Sequence, residues 1–100
     1  MNANLSKDEI FGAIRGSLKE AAEINDIPIE GEISEKTPLY GQKGLFDSIA
    51  LVGLIVSVEE RFSEMGYNIT IASEKAFSRK ISPFLNVRTL LNFIEDLLNE

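Results

Sequence analysis

Three stretches of this chain repeat apolar residues at the three-and-four spacing of a helix, and few folds accommodate that. The first stripe is Ile10, Phe11, Ile14, Leu18 and Ala21. The second is Leu51, Leu54, Ile55, Val58 and Phe62, and the third is Val87, Leu90, Leu91, Ile94, Leu97 and Leu98. Each segment is apolar on one side only, so each must bury its stripe against another element. Their starts are marked. Ser6 followed by Glu9 has the spacing of a capping box, with Asp8 and Glu9 where the helix dipole favours negative charge. Asp47 and Asn86 are good N-caps for the second and last helices. The first stripe fades around Asn25 and Pro28 closes it, while Gly66 is the expected terminator of the second.

Between these helices lie two less regular segments. Residues 25–47 contain Pro28, Gly31, Pro38, Gly41 and Gly44, yet also carry Ile27, Ile29, Ile33, Leu39, Tyr40, Leu45 and Phe46. That is too much apolar surface for a free linker, and a loop longer than about 12–15 residues is uncommon without a function. A loop packed back over the helices is expected. After Gly66, Tyr67, Ile69 and Ile71 alternate with polar residues, which fits an extended connector with three buried anchors. Ser73 is placed to cap a short helix through Phe77 and Ile81, stopped by Pro83. The expected architecture is all-α: one domain over residues 1–100, a small four-helix bundle of three long helices and one short, with a long first loop.

Composition then removes whole classes of function. Ten Lys and Arg against sixteen Asp and Glu give a net charge of -6, without the basic footprint that nucleic acid requires. The absence of Cys and His removes disulfides, thiolate and imidazole metal sites, and nucleophilic schemes built on those residues. Glu30, Glu32 and Glu35 cluster in the first loop, but without a partner base or phosphate loop they read as solvated acids. No residue is assigned as catalytic. The longest apolar run, Ile49 to Val58, is too short for the roughly 20 residues of a membrane span. With no basic-then-apolar order at the amino terminus, a cytoplasmic, monomeric, non-enzymatic domain is expected.

One place looks chemical. In Gly44-Leu45-Phe46-Asp47-Ser48-Ile49 a loop meets a helix amino terminus, which exposes Ser48. The opening backbone N–H groups lack intrahelical partners, and the positive end of the dipole faces the same way, so a phosphodiester there is tolerated. Asp-Ser at a helix start is, taken alone, an ordinary capping pair.

The surrounding residues go further, because this sequence resembles the acyl carrier protein family. Asp47-Ser48-Ile49 stands where that family has Asp-Ser-Leu at the start of its second helix. The likeness continues through Val52, Leu54, Ile55, Val58, Glu59, Glu60 and Phe62, and upstream through Thr37-Pro38-Leu39-Tyr40. It implies a 4'-phosphopantetheine arm, derived from coenzyme A and attached at Ser48, with Asp47 and Ile49 beside it and Glu59 and Glu60 as docking acids. The implied partners are a phosphopantetheinyl transferase, an acyl- or aminoacyl-loading ligase, and acyltransferase or synthase enzymes of a fatty-acid, lipid or polyketide-type pathway. Two departures stand out: Ala50 and Gly53 occupy positions that are typically acidic in the fatty-acid members. That pattern suggests a specialised stand-alone carrier, and an aminoacyl carrier similar to the D-alanyl carriers is the alternative. A helical interaction module that is never modified is the rival from another class. Val52 and Val56 form a second apolar pair, expected to pack under the long loop rather than to face a partner.

Overall fold

The computed structural model describes residues 5–100. Four helices follow one another: α1, Lys7–Ile24; α2, Ser48–Glu64; α3, Glu74–Phe77; and α4, Val87–Leu98. The arrangement is a small, mostly helical bundle in which α1 packs against both α2 and α4. Among the described residues no helix is long and apolar enough to cross a membrane.

The helix ends follow from the capping residues. Ser6 Oγ accepts the Glu9 N–H at 3.1 Å while Glu9 Oε1 accepts the Ser6 N–H at 3.1 Å. Asn86 and Thr89 make the same reciprocal pair at the start of α4, at 2.9 and 3.1 Å. Two helices stop in the same way. Past α2, Gly66 at φ 93° lets its own N–H reach the Ser63 carbonyl and that of Tyr67 reach Phe62. Past α1, Asp26 takes φ 55°, with the Asp26 and Ile27 N–H groups bonded to Glu23 and Ala22. That second stop depends on an aspartate, one of the few non-glycine residues that tolerates the left-handed region.

The core gathers Ile10, Ile14 and Leu18 from α1, Leu54, Val58 and Phe62 from α2, and Leu90, Phe93 and Ile94 from α4. The long first loop adds to it. Leu39 and Phe46 are buried, and Ile27, Ile29, Ile33 and Leu45 pack against the core half-buried, whereas Tyr40 stays exposed. In the second connector Ile71 is fully buried, and Tyr67 and Ile69 are half-buried rather than buried.

Two expectations are corrected. The short helix does not extend to Ile81: α3 is four residues long, and Phe77 and Ile81 are 79% and 63% exposed. Ser73 makes no side-chain cap to it. The cause lies downstream. Pro83 disfavours helical backbone at Ser82, and the chain turns through Pro83 and Phe84 with the Leu85 N–H bonded to the Ser82 carbonyl at 3.3 Å. The Phe84 and Leu85 carbonyls accept the Tyr40 and Leu39 N–H groups, each at 3.0 Å. The second correction concerns Val52 and Val56, which are exposed and not covered by the loop. The loop turns away to pair with residues 84–88 before it reaches that face of α2.

That pairing continues through the Val87 N–H to the Thr37 carbonyl at 3.0 Å and the Arg88 N–H to the Glu35 carbonyl at 2.8 Å. The loop then closes on itself, with the Phe46 N–H donating to the Leu39 carbonyl at 2.8 Å and the Gly44 N–H to Gly41 at 3.0 Å. Closure brings backbone against Gly44, where an added Cβ would lie 2.6 Å from the Leu39 oxygen and from Tyr40 backbone atoms. Gly44→Ala is therefore expected to destabilise the fold by about 1–3 kcal/mol, as overpacking against backbone does, read as a lowered urea midpoint.

Candidate functional site

Ser48 is held from both sides. Phe46, two residues before it, is buried, and so are Ala50 and Leu51 just after it. Phe46 and Leu51 occupy the two positions of a hydrophobic staple, the arrangement that fixes the angle at which a chain enters a helix. The serine thus sits at the first residue of a 17-residue helix whose entry is anchored in the core. Its side chain, like those of Asp47 and Ile49, lies at the surface.

The division of labour between Asp47 and Ser48 is clear. Asp47 Oδ1 accepts the Ala50 N–H at 2.8 Å, which makes Asp47 the N-cap. Ser48 Oγ makes no hydrogen bond with the described residues. The capping that could have explained both residues engages only the first. No acidic side chain lies within the first turn of α2. An anion at Ser48 would meet the unpaired N–H groups of Ser48 and Ile49, with the Asp47 carboxylate beside it turned toward the Ala50 N–H.

The two acids expected to serve docking differ. Glu59 is half-buried, and its Oε2 accepts the Ile71 N–H at 2.7 Å, which ties the second connector to α2. This bond satisfies a donor at the fully buried Ile71, so Glu59 has a structural role that spacing alone did not reveal. Glu60 is exposed and forms no ion pair among the described residues. A third acid, Glu20 of α1, receives Ser57 Oγ at 3.2 Å and the Arg61 guanidinium at 3.3 Å, joining α1 to α2 across Gly16. An ion pair this exposed contributes about 0–1 kcal/mol.

The larger grooves lie away from Ser48. One of about 540 Å³ runs between α1 and the first loop, lined by Arg15, Lys19, Ile27 and Ile33 among others. Another, of about 790 Å³, lies by Leu5, Ala13, Met65 and Tyr67. Neither is lined by residues 47–49. Among the described residues no cluster of His, Cys, Asp or Glu could hold a metal ion.

Compared with protein-family models, curated proteins and solved structures, the chain finds no match in any of the three. The site is therefore read from its own geometry.

Two substitutions separate the neighbours. Asp47→Ala removes the cap and is expected to cost about 1 kcal/mol in chemical denaturation. Ser48→Ala, which removes no hydrogen bond, is expected to stay within about 0.5 kcal/mol of the unmodified parent. Glu59→Ala leaves the Ile71 N–H without its acceptor, with an expected loss of about 1–3 kcal/mol and faster amide exchange at Ile71.

Proposed function

We propose that this chain is a carrier protein, modified at Ser48 with 4'-phosphopantetheine and presenting acyl intermediates to partner enzymes. The observation that carries the reading is the hydroxyl of Ser48: exposed, unbonded, and placed beside an aspartate that already performs the capping.

The residues present fit the group. Ser48 Oγ is free to form a bond to phosphorus, and the helix start supplies N–H donors for a phosphodiester. With coenzyme A as donor, Oγ bonds to the phosphorus bearing pantetheine, the pyrophosphate bond breaks, and adenosine 3',5'-bisphosphate leaves. The serine proton passes to a base on the transferase. When bound, the arm supplies a terminal thiol on which acyl groups are held as thioesters, so a chain without cysteine needs no thiol of its own. What this chain supplies is placement. The Phe46 anchor and the Asp47 cap fix Ser48 relative to the bundle, so a partner enzyme meets its target in one orientation. The exposed faces of α2 and of the second connector are where such enzymes would bind, and the cargo follows from the ligase that loads it.

Incubation with coenzyme A and a broad-specificity phosphopantetheinyl transferase, followed by intact-mass measurement, tests this directly. The expected result is a gain of one phosphopantetheine in the parent protein and none in Ser48→Ala. A folded, initially unmodified sample that gains no mass would refute the carrier reading and return the chain to an unmodified helical module.

A further inference from the structure

Beside Ser48 the outward face of α2 is apolar. Ile49, Val52 and Val56 are 82%, 59% and 45% exposed, and Gly53 between them has open space where a Cβ would be. At 100° per residue these four positions fall within an arc of about 100°, and Ser48 lies about 40° from Val52. From Ser48 through Ser57 the helix contains no charged residue at all.

We propose that the enzyme that modifies Ser48 docks on this strip through an apolar contact, with charge playing little part. The inference rests on the carrier reading of Ser48, and it specifies the chemistry of the partner. Geometry identifies the occupant. A standard protein interface covers about 800 Å² per partner, a disc of roughly 16 Å radius. At 1.5 Å per residue, Val52 and Val56 lie about 6 and 12 Å along the helix from Ser48, inside any footprint centred on it. An enzyme that reaches Ser48 Oγ therefore covers the strip.

On α2 and at its cap, the charges that could compete are bonded or distant. Asp47 caps Ala50, and Glu59 holds the Ile71 N–H. The nearest acid on the same face, Glu60, stands about 18 Å along the axis, at the rim of the footprint, where charges tune on-rate more than affinity. A partner with a strongly basic docking patch would bury cations against Val52 and Val56 without compensation. The complement that fits is an uncharged, apolar surface flanking the transferase's catalytic cleft.

Steady-state modification by coenzyme A and the transferase, with this protein as the varied substrate, decides the matter. Val52→Asp is expected to raise KM about tenfold or more at nearly constant kcat, as loss of an interface anchor does, while Val52→Leu keeps the parent value. KM is also expected to change by less than about twofold between low salt and about 0.3 M, a range that screens exposed charges. Circular dichroism checks that the Asp variant folds, and Val52→Ser takes its place if it does not. A parent KM that climbs steeply with salt, or Val52 variants indistinguishable from the parent, would overturn apolar docking while leaving Ser48 a modified residue. Absence of modification in the parent itself would overturn the carrier reading and this inference together.

Discussion

A long irregular segment in a helical protein must still satisfy its backbone N–H and carbonyl groups, and here it does so by pairing with the approach to the last helix. Residues 35–40 and 84–88 exchange four backbone hydrogen bonds, through Leu39, Tyr40, Val87 and Arg88 as donors. Much of the remaining geometry depends on that junction. It draws Leu39 and Phe46 into the core and ties down the Phe84 and Leu85 carbonyls just past a turn at Pro83, so that α3 remains a single turn. Through Phe46 it also sets the height and direction at which α2 begins. The close approach at Gly44 is the tightest point of this loop, since backbone fills the space where any side chain would start.

Precision at Ser48 is thus built from distant parts. The Asp47 cap contributes locally, but a cap alone satisfies a donor without fixing the orientation of its helix. Orientation comes from burying Phe46 on one side of the cap and Ala50 and Leu51 on the other. The Glu20–Ser57–Arg61 cluster and the Glu59–Ile71 hydrogen bond then join α2 to α1 and to the second connector. Each of these features is energetically modest. Together they tie the start of α2 to the rest of the bundle.

The parts of this design that were legible in the sequence are those controlled by local rules. Caps at Ser6, Asp47 and Asn86 and the stop at Gly66 depend on residues within one turn, and all four stand where spacing indicates. Helical periodicity likewise located the core faces of α1, α2 and α4. The loop pairing was not legible, because it joins residues 44 to 53 apart that share no repeat, and residues 35–40 and 84–88 show neither strand nor helix periodicity. The overlong reading of α3 followed from that omission: Phe77 and Ile81 have helical spacing, but the turn at Pro83 and the paired residues beyond it take the chain elsewhere. The end of α1 at Asn25 was legible in the fading stripe, whereas the left-handed Asp26 after it, in a conformation usually reserved for glycine, was not.

Val52 and Val56 show why periodicity is insufficient for surfaces. A stripe reveals which way a helix faces its own core, but not whether an additional apolar pair is covered by something remote in sequence. Loop content suggested a cover, yet the loop's hydrogen bonds direct it to α4. The same reasoning applies in reverse to Glu59. Its spacing beside Glu60 makes the pair look equivalent, and only the position of Ile71 separates a carboxylate that holds the fold from one that faces water. Exposed apolar side chains and an internally bonded acid are thus two consequences of one layout. The connectors fold against particular sides of α2, and the side they leave uncovered is the one that adjoins Ser48.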